Sequence, residues 1–96
     1  MKVENMINSR GNTVANQFII RGRFEVDFQS YNSLICSFDF KDDKDNKLLL
    51  KGSMWDYSVT TRRYFKQFIN EETPFTYETK AQWEKEIKNN DNIEVI

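Results

Sequence analysis

Apolar side chains recur along this chain with two periods, and the change from one to the other divides it. From about residue 14 to residue 54 the pattern alternates, as in half-buried strands. Val14, Phe18 and Ile20 share one parity, with Ile19 thickening the other face, which predicts a strand around 14–21. Gly22 interrupts it, as a turn or bulge would. Phe24, Val26 and Phe28 then alternate with Arg23, Glu25 and Asp27, the cleanest period-2 signal in the sequence. The polar break at 29–33 predicts a tight turn. Leu34, Cys36, Phe38 and Phe40 form the next run, and Ile35 on the other parity suggests a central strand with contacts on both sides. Residues 41–46 have hairpin-turn composition, and Leu48, Leu49 and Leu50 begin a returning strand that runs to about residue 54. Residues 1–12 are polar and end in a turn-like Ser9-Arg10-Gly11-Asn12. Short connections between four successive strands favour an antiparallel meander.

The helical period takes over after Trp55. Thr61, Tyr64, Phe65, Phe68 and Ile69 lie at i, i+3, i+4, i+7 and i+8, one apolar stripe. Arg62, Arg63, Lys66 and Gln67 fall on the other side. Ser58 is the expected N-cap, with Thr60 as an alternative, and the helix should stop near Asn70, because Glu71-Glu72-Thr73-Pro74 cannot continue it. Phe75-Thr76-Tyr77 makes a short apolar bridge. Thr79-Lys80-Ala81-Gln82 has capping-box form and opens a second helix to about Asn89. Its core contacts are Trp83 and Ile87, and Glu84 faces Lys88. Ile93, Val95 and Ile96 can add a short edge strand or fray. The predicted class is therefore α+β: a four-stranded antiparallel meander followed by two helices on one face, in a single domain over residues 1–96. An exposed edge at either end of that sheet offers itself to a second copy, so the oligomeric state stays open.

Composition changes this picture little. Apolar residues are 39% of the chain, but eight Phe, four Tyr and two Trp supply much of the buriable area. The net charge of −1 gives no global field for nucleic acid or a membrane. The charge is segregated, at +3 over 1–24, −4 over 25–46, +4 over 47–70 and −4 over 71–96. No apolar run approaches the ~20 residues of a membrane span, and the first residues lack the apolar core of a signal peptide. The single cysteine, Cys36, sits in an apolar run, reads as a buried inert thiol and fits a reducing compartment, so the cytoplasm of a bacterial host is expected.

The absent chemistry is as informative. With no histidine and one cysteine, Cys/His zinc sites and His-dependent nucleophilic systems are excluded. The three glycines are isolated, so there is no phosphate loop. The acidic turn of Asp42, Asp43, Asp45 and Asn46 lacks the central Gly and distal Glu of a helix-loop-helix calcium site and reads as a solvated turn. Asp27 and Asp39 have no spacing that selects them for acid–base work. No cofactor or metal is implied, and no enzyme activity is expected.

The best candidates for a binding surface are Arg21, Arg23, Arg62, Arg63 and Lys66, with Tyr31, Tyr57 and Tyr64 near them in pattern. Arginine with exposed aromatics is the composition of protein hot spots and of single-strand nucleic-acid platforms alike. Asp56 and Tyr57 fall at the strand-to-helix junction, where loops often carry function, although Asp56 would also favour the positive helix start.

Three stretches carry a resemblance: Asn8-Ser9-Arg10-Gly11-Asn12-Thr13-Val14-Ala15-Asn16-Gln17-Phe18, Phe28-Gln29-Ser30-Tyr31-Asn32-Ser33-Leu34-Ile35, and Trp55-Asp56-Tyr57-Ser58-Val59-Thr60-Thr61. In this order they resemble a group of small uncharacterised proteins carried by phages and mobile elements of low-GC Gram-positive and related bacteria. The resemblance spans about residues 8–70 and implies no catalytic residues. What it implies is a non-enzymatic accessory protein that binds a macromolecular partner, such as an anti-CRISPR-like inhibitor of a host-defence nuclease. Asp42, Asp43, Asp45, Glu71 and Glu72 would then pair with a basic channel. The alternative expectation is a nucleic-acid-binding module that uses the Arg21, Arg23, Arg62, Arg63 and Lys66 face.

Overall fold

The computed structural model describes residues 1–41 and 46–96. Six strands form one sheet in chain order: β1 (Lys2–Ile7), β2 (Thr13–Arg21), β3 (Glu25–Ser30), β4 (Ser33–Asp39), β5 (Lys47–Leu50) and β6 (Ile93–Val95). β1 to β5 pair antiparallel, and β6 runs parallel to β5. A parallel neighbour cannot be reached through a tight turn. The connection from β5 to β6 carries a single 3-10 turn (Met54–Asp56), α1 (Val59–Glu72) and α2 (Lys80–Asn89). The fold is α+β, with the two helices after the meander, as the hydrophobic pattern predicts.

The sheet is longer than that pattern implies at both edges. Lys2–Ile7 is an edge strand, and Met6 is its only buried side chain, so it has no apolar period to read. Residues 93–95 dock against β5, with Ile93 beside Leu48. The returning strand ends at Leu50 and not near 54, because Gly52 takes a left-handed φ of +53° and turns the chain away.

The parity expected for β2 is reversed. Ile19 pairs with Phe28 and Gln17 with Ser30, so Gln17 and Ile19 face the helices, while Phe18 and Ile20 lie half-buried on the open side. Residues 18–20 are apolar on both parities, and the partner Phe28 decides which side goes in. Ile35 also has a different cause from the one expected. The β3–β4 register shifts between Phe28, opposite Cys36, and Gln29, opposite Leu34. Ile35 is the extra residue of that bulge, which lets consecutive side chains, Ile35 and Cys36, both enter the core.

Both helices start where their caps predict. The Ser58 hydroxyl accepts from the Thr61 amide at 3.1 Å, which settles the N-cap in favour of Ser58 over Thr60. α1 runs two residues past Asn70 and stops before Pro74. Thr79 accepts from the Gln82 amide at 3.1 Å, and Gln82 reaches back to the Glu78 amide at 2.8 Å, one residue earlier than the usual reciprocal bond.

The apolar stripe of α1 roofs the sheet. Thr61, Phe65, Phe68 and Ile69 are buried, and Tyr64 packs half-buried beside them. Phe68 stacks on Phe28 with ring centroids 5.7 Å apart. Phe65 lies 6.4 Å from Phe28, 5.7 Å from Trp55, 6.1 Å from Tyr77 and 5.6 Å from Trp83. One fully buried ring thus touches the sheet, the 3-10 turn, the bridge after α1, and α2. Phe65→Ala is expected to cost about 3–5 kcal/mol. That is a large share of the ~5–15 kcal/mol holding a typical domain folded, and urea unfolding followed by far-UV circular dichroism measures it.

Candidate functional site

A cleft of about 470 Å³ opens where the β3–β4 turn meets the start of α1. One wall is the two-residue loop Tyr31-Asn32, closed by the Ser30–Ser33 pair. Met54, Tyr57, Ile35 and Thr61 complete its lining. Tyr31 is 51% exposed and Tyr57 is 75% exposed.

Tyr31 adopts φ +55°, in the left-handed region where a Cβ is costly, by roughly 1–2 kcal/mol. Two-residue hairpin loops put Gly or Asn at such positions. Its backbone is held from two sides. The Tyr31 amide donates to the Asn16 carbonyl at 2.7 Å, and Gln29 Nε2 donates to the Tyr31 carbonyl at 2.8 Å. Asn16 itself has φ +63°, so the two non-glycine residues with positive φ among the described residues are bonded to each other. Backbone strain of this kind gathers at sites that bind, where the surrounding structure fixes it.

The inner end of the cleft is a chain of hydroxyls. Ser30 Oγ and Thr61 Oγ1 lie 2.9 Å apart in a buried bond, and Ser58 Oγ donates to Thr61 Oγ1 at 3.1 Å. Gln17, the cross-strand partner of Ser30, is fully buried, and neither atom of its amide has a hydrogen-bond partner among the described residues. Hydroxyls, amides and the faces of two tyrosines suit this end to recognition, giving directed hydrogen bonds around a large amphipathic contact area.

The charged candidates divide between the two ends of α1. Asp56 accepts from Arg62 Nη1 and from Lys80 Nζ, each at 2.8 Å, which ties the 3-10 turn to the first turns of both helices. The Lys80 ammonium, then Arg62, holds the Asp56 carboxyl below its ordinary range. At the other end, Arg21 donates through Nε to Glu4 at 2.6 Å and through Nη1 and Nη2 to both oxygens of Glu72 at 2.7 and 3.0 Å. Glu72 and then Glu4 raise the Arg21 pKa, and the Arg21 bond lowers that of Glu4. Ten residues of helix, about 15 Å, separate Arg62 from Glu72 and its partner Arg21.

The remaining cations each lie near an aromatic ring. The Arg23 guanidinium lies 5.3 Å from the Phe24 ring centre, beyond β2. Arg63 sits 5.7 Å from the Tyr64 ring centre. Lys66 Nζ donates to the Glu78 carbonyl at 2.9 Å and lies 5.8 Å from the centre of the Tyr77 ring. The structure therefore brings Tyr31 and Tyr57 together, with Asp56 and Arg62 next along the chain, and sets Arg21 and Arg23 apart. Asp42, Asp43 and Asp45 lie outside the described residues. Asp27 accepts from Ser37 Oγ at 2.5 Å and Asp39 from the Lys41 amide at 2.9 Å, so each of these carboxylates has its own local partner. Cys36 is fully buried, and burial pushes its thiol pKa up.

Sequence reasoning did not pick out Asn16, Gln17, Ser30, Asn32, Ser33 or Thr61 as parts of a site. The polar break at 29–33 was the available signal for the loop. Nothing in a tyrosine codon marks it for a left-handed φ. Among the described residues, no group of three or more His, Cys, Asp or Glu is placed to hold a metal, and no helix is long and apolar enough to cross a membrane.

Fold and site together define a small two-layer α+β domain with an aromatic and hydroxyl-lined cleft at one end of its roofing helix. The chain belongs to a family of unknown function, DUF8033, whose family model matches residues 1–85. That match runs past residue 70 and takes in the start of α2. Searches of curated proteins and of solved structures each found no match.

At Tyr31 the usual order of glycine and alanine should invert. Tyr31→Gly is expected to be more stable than Tyr31→Ala by about 1 kcal/mol, because glycine carries no Cβ penalty at φ +55°. Paired urea titrations measure the difference. Asp56 supplies a pH-dependent component of stability. Its lowered carboxyl contributes fully above the ordinary aspartate pKa of about 3.9 and loses that contribution as pH falls through the lower folded value. Asp56→Asn should therefore melt lower at neutral pH and lose less on acidification, which thermal melts across pH 2–6, roughly this carboxylate range, will detect.

Proposed function

We propose that this chain is a non-enzymatic accessory protein that acts by binding a macromolecular partner through the Tyr31–Tyr57 cleft. The carrying observation is Tyr31 itself, a large aromatic kept half-exposed at a φ that favours glycine. Tyrosine is a residue type that dominates protein contacts, since its ring gives area at small entropic cost and its hydroxyl gives direction. A protein partner is favoured over nucleic acid because Arg21 and Arg62, two of the five cations of the basic group, are already ion-paired. In its most specific form the partner is a host-defence nuclease and this protein is its anti-CRISPR-like inhibitor, carried by a phage or mobile element. Support for that form is the resemblance of the three stretches. Asn16 comes from the first, Ser30, Tyr31, Asn32, Ser33 and Ile35 from the second, and Tyr57 and Thr61 from the third, and all of them meet at this end.

Capture on the immobilised protein from lysate of the native host, with and without nuclease treatment, tests the reading. A protein partner should be retained in both lysates and weakened about thirtyfold by Tyr57→Ala, the expected size for a hot spot. Capture that vanishes on nuclease treatment would point to nucleic acid instead, and capture unchanged by both Tyr31→Ala and Tyr57→Ala would remove the cleft. If the retained protein is a nuclease whose cleavage continues undiminished in the complex, the inhibitor form fails while the binding form stands.

A further inference from the structure

We infer that two copies of this chain pair antiparallel through their β1 strands, centred on Val3, into one continuous twelve-stranded sheet. β1 and β6 are the sheet edges, and β1 is twice as long, with six residues against three. Among the described residues, no backbone group outside β1 and β2 bonds to residues 1–6. Half of the amides and carbonyls of an edge strand face away from its neighbour and template another strand.

The side chains of β1 select the register. Lys2 and Glu4 lie on the helix-covered face, opposite Arg21 and Ile19, and Val3 lies on the open face opposite Ile20. A two-fold axis perpendicular to the sheet keeps each side chain on its own face. Placed at Lys2, that axis sets two ammonium groups against each other. Placed at Glu4, it sets two carboxylates against each other. Placed at Val3, it sets Lys2 of each copy opposite Glu4 of the other, two cross-strand pairs of opposite charge. Lys2 can turn to that contact, since its side chain is 74% exposed and its ion pair with its own Glu4 is long, at 3.8 Å. Each pair then extends an existing series, Glu72 to Arg21 to Glu4 to the incoming Lys2.

The open face agrees with the same axis. Val3, 59% exposed, meets its copy there, and the row Ile20–Val3 continues across the axis as an apolar strip. The β1–β2 register shift between Asn5 and Ile7 ends the regular edge, so the paired length is confined to the first five residues. Charged side chains and a bulge are the devices that keep edges from pairing at random. Of the axes at Lys2, Val3 and Glu4, only the one at Val3 is without a charge clash.

The pairing does not depend on the cleft, and its test is separate. Sedimentation equilibrium of the untagged full chain, from micromolar to millimolar, should show a monomer–dimer equilibrium. Val3→Lys places two ammonium groups on the axis and should leave a monomer at every concentration. Lys2→Glu opposes carboxylates in both pairs and should raise the dimer dissociation constant about tenfold. Both positions are exposed, so circular dichroism should show the fold retained. Tyr57→Ala should leave the equilibrium unchanged. A wild-type monomer throughout, a dimer indifferent to both Val3→Lys and Lys2→Glu, or a dimer abolished by Tyr57→Ala overturns the inference.

Discussion

The Phe65 ring is the contact on which the other layers depend. A sheet with one apolar face must bury it, and here the cover is supplied by a helix the chain reaches only after completing β5. Phe65 and Phe68 dock that helix on Phe28, at the centre of the sheet. Trp83 then packs edge-on against Phe65, and Tyr77 stacks on Trp83 at 5.4 Å, so these rings join α2 to α1 and to the bridge between them. After both helices the chain returns to lay Ile93 beside Leu48.

This dependence explains which parts of the fold were legible. The two helices carry their own signals, a stripe at helical spacing and a hydroxyl at each cap, and both signals are local. β3 and β4 were legible because they are central, with their burial written in alternation. β1 was not, since an edge strand with only Met6 buried needs no apolar period. β2 misleads in a more instructive way. Phe18 and Ile20 outweigh Gln17 and Ile19 in hydrophobicity, and yet Gln17 is the residue inside. Register is set by the whole pairing, and a one-residue slip to bury Phe18 would put Asp27 and Gln29 under the helix in place of Phe28 and Ser30 if β3 moved with it.

The cleft was partly legible for the same reason. Tyr57 stands at a strand-to-helix junction and Tyr31 in a polar break, both recognisable positions. That they line one cleft follows from α1 starting at the same end of the sheet as the β3–β4 turn, which is a tertiary fact. Two costs accumulate there: the left-handed backbone of Tyr31 and the fully buried amide of Gln17. Each runs against stability, and they sit on adjoining strands, joined through the Asn16–Tyr31 bond and the Gln17–Ser30 pair. Proteins keep such costs where the arrangement serves something other than folding.

The ion pairs at the two ends of α1 bear on how that arrangement is kept. Glu72, a carboxylate in the last turn, stands where the helix dipole is unfavourable to it, and the bidentate bonds from Arg21 offset this. At the start, Asp56 joins Arg62 and Lys80 beside the positive end. A helix tied at both ends and stacked on Phe28 in between has little freedom to slide along the sheet. Its first turn carries Ser58 and Thr61, so the hydroxyl chain to Ser30 keeps its geometry and the Tyr31 loop keeps its neighbour. The charged residues that look from the sequence like a binding face therefore have, at Arg21 and Arg62, a structural part. Arg21 and Arg62 spend their charge on holding still the helix against which the two tyrosines are displayed.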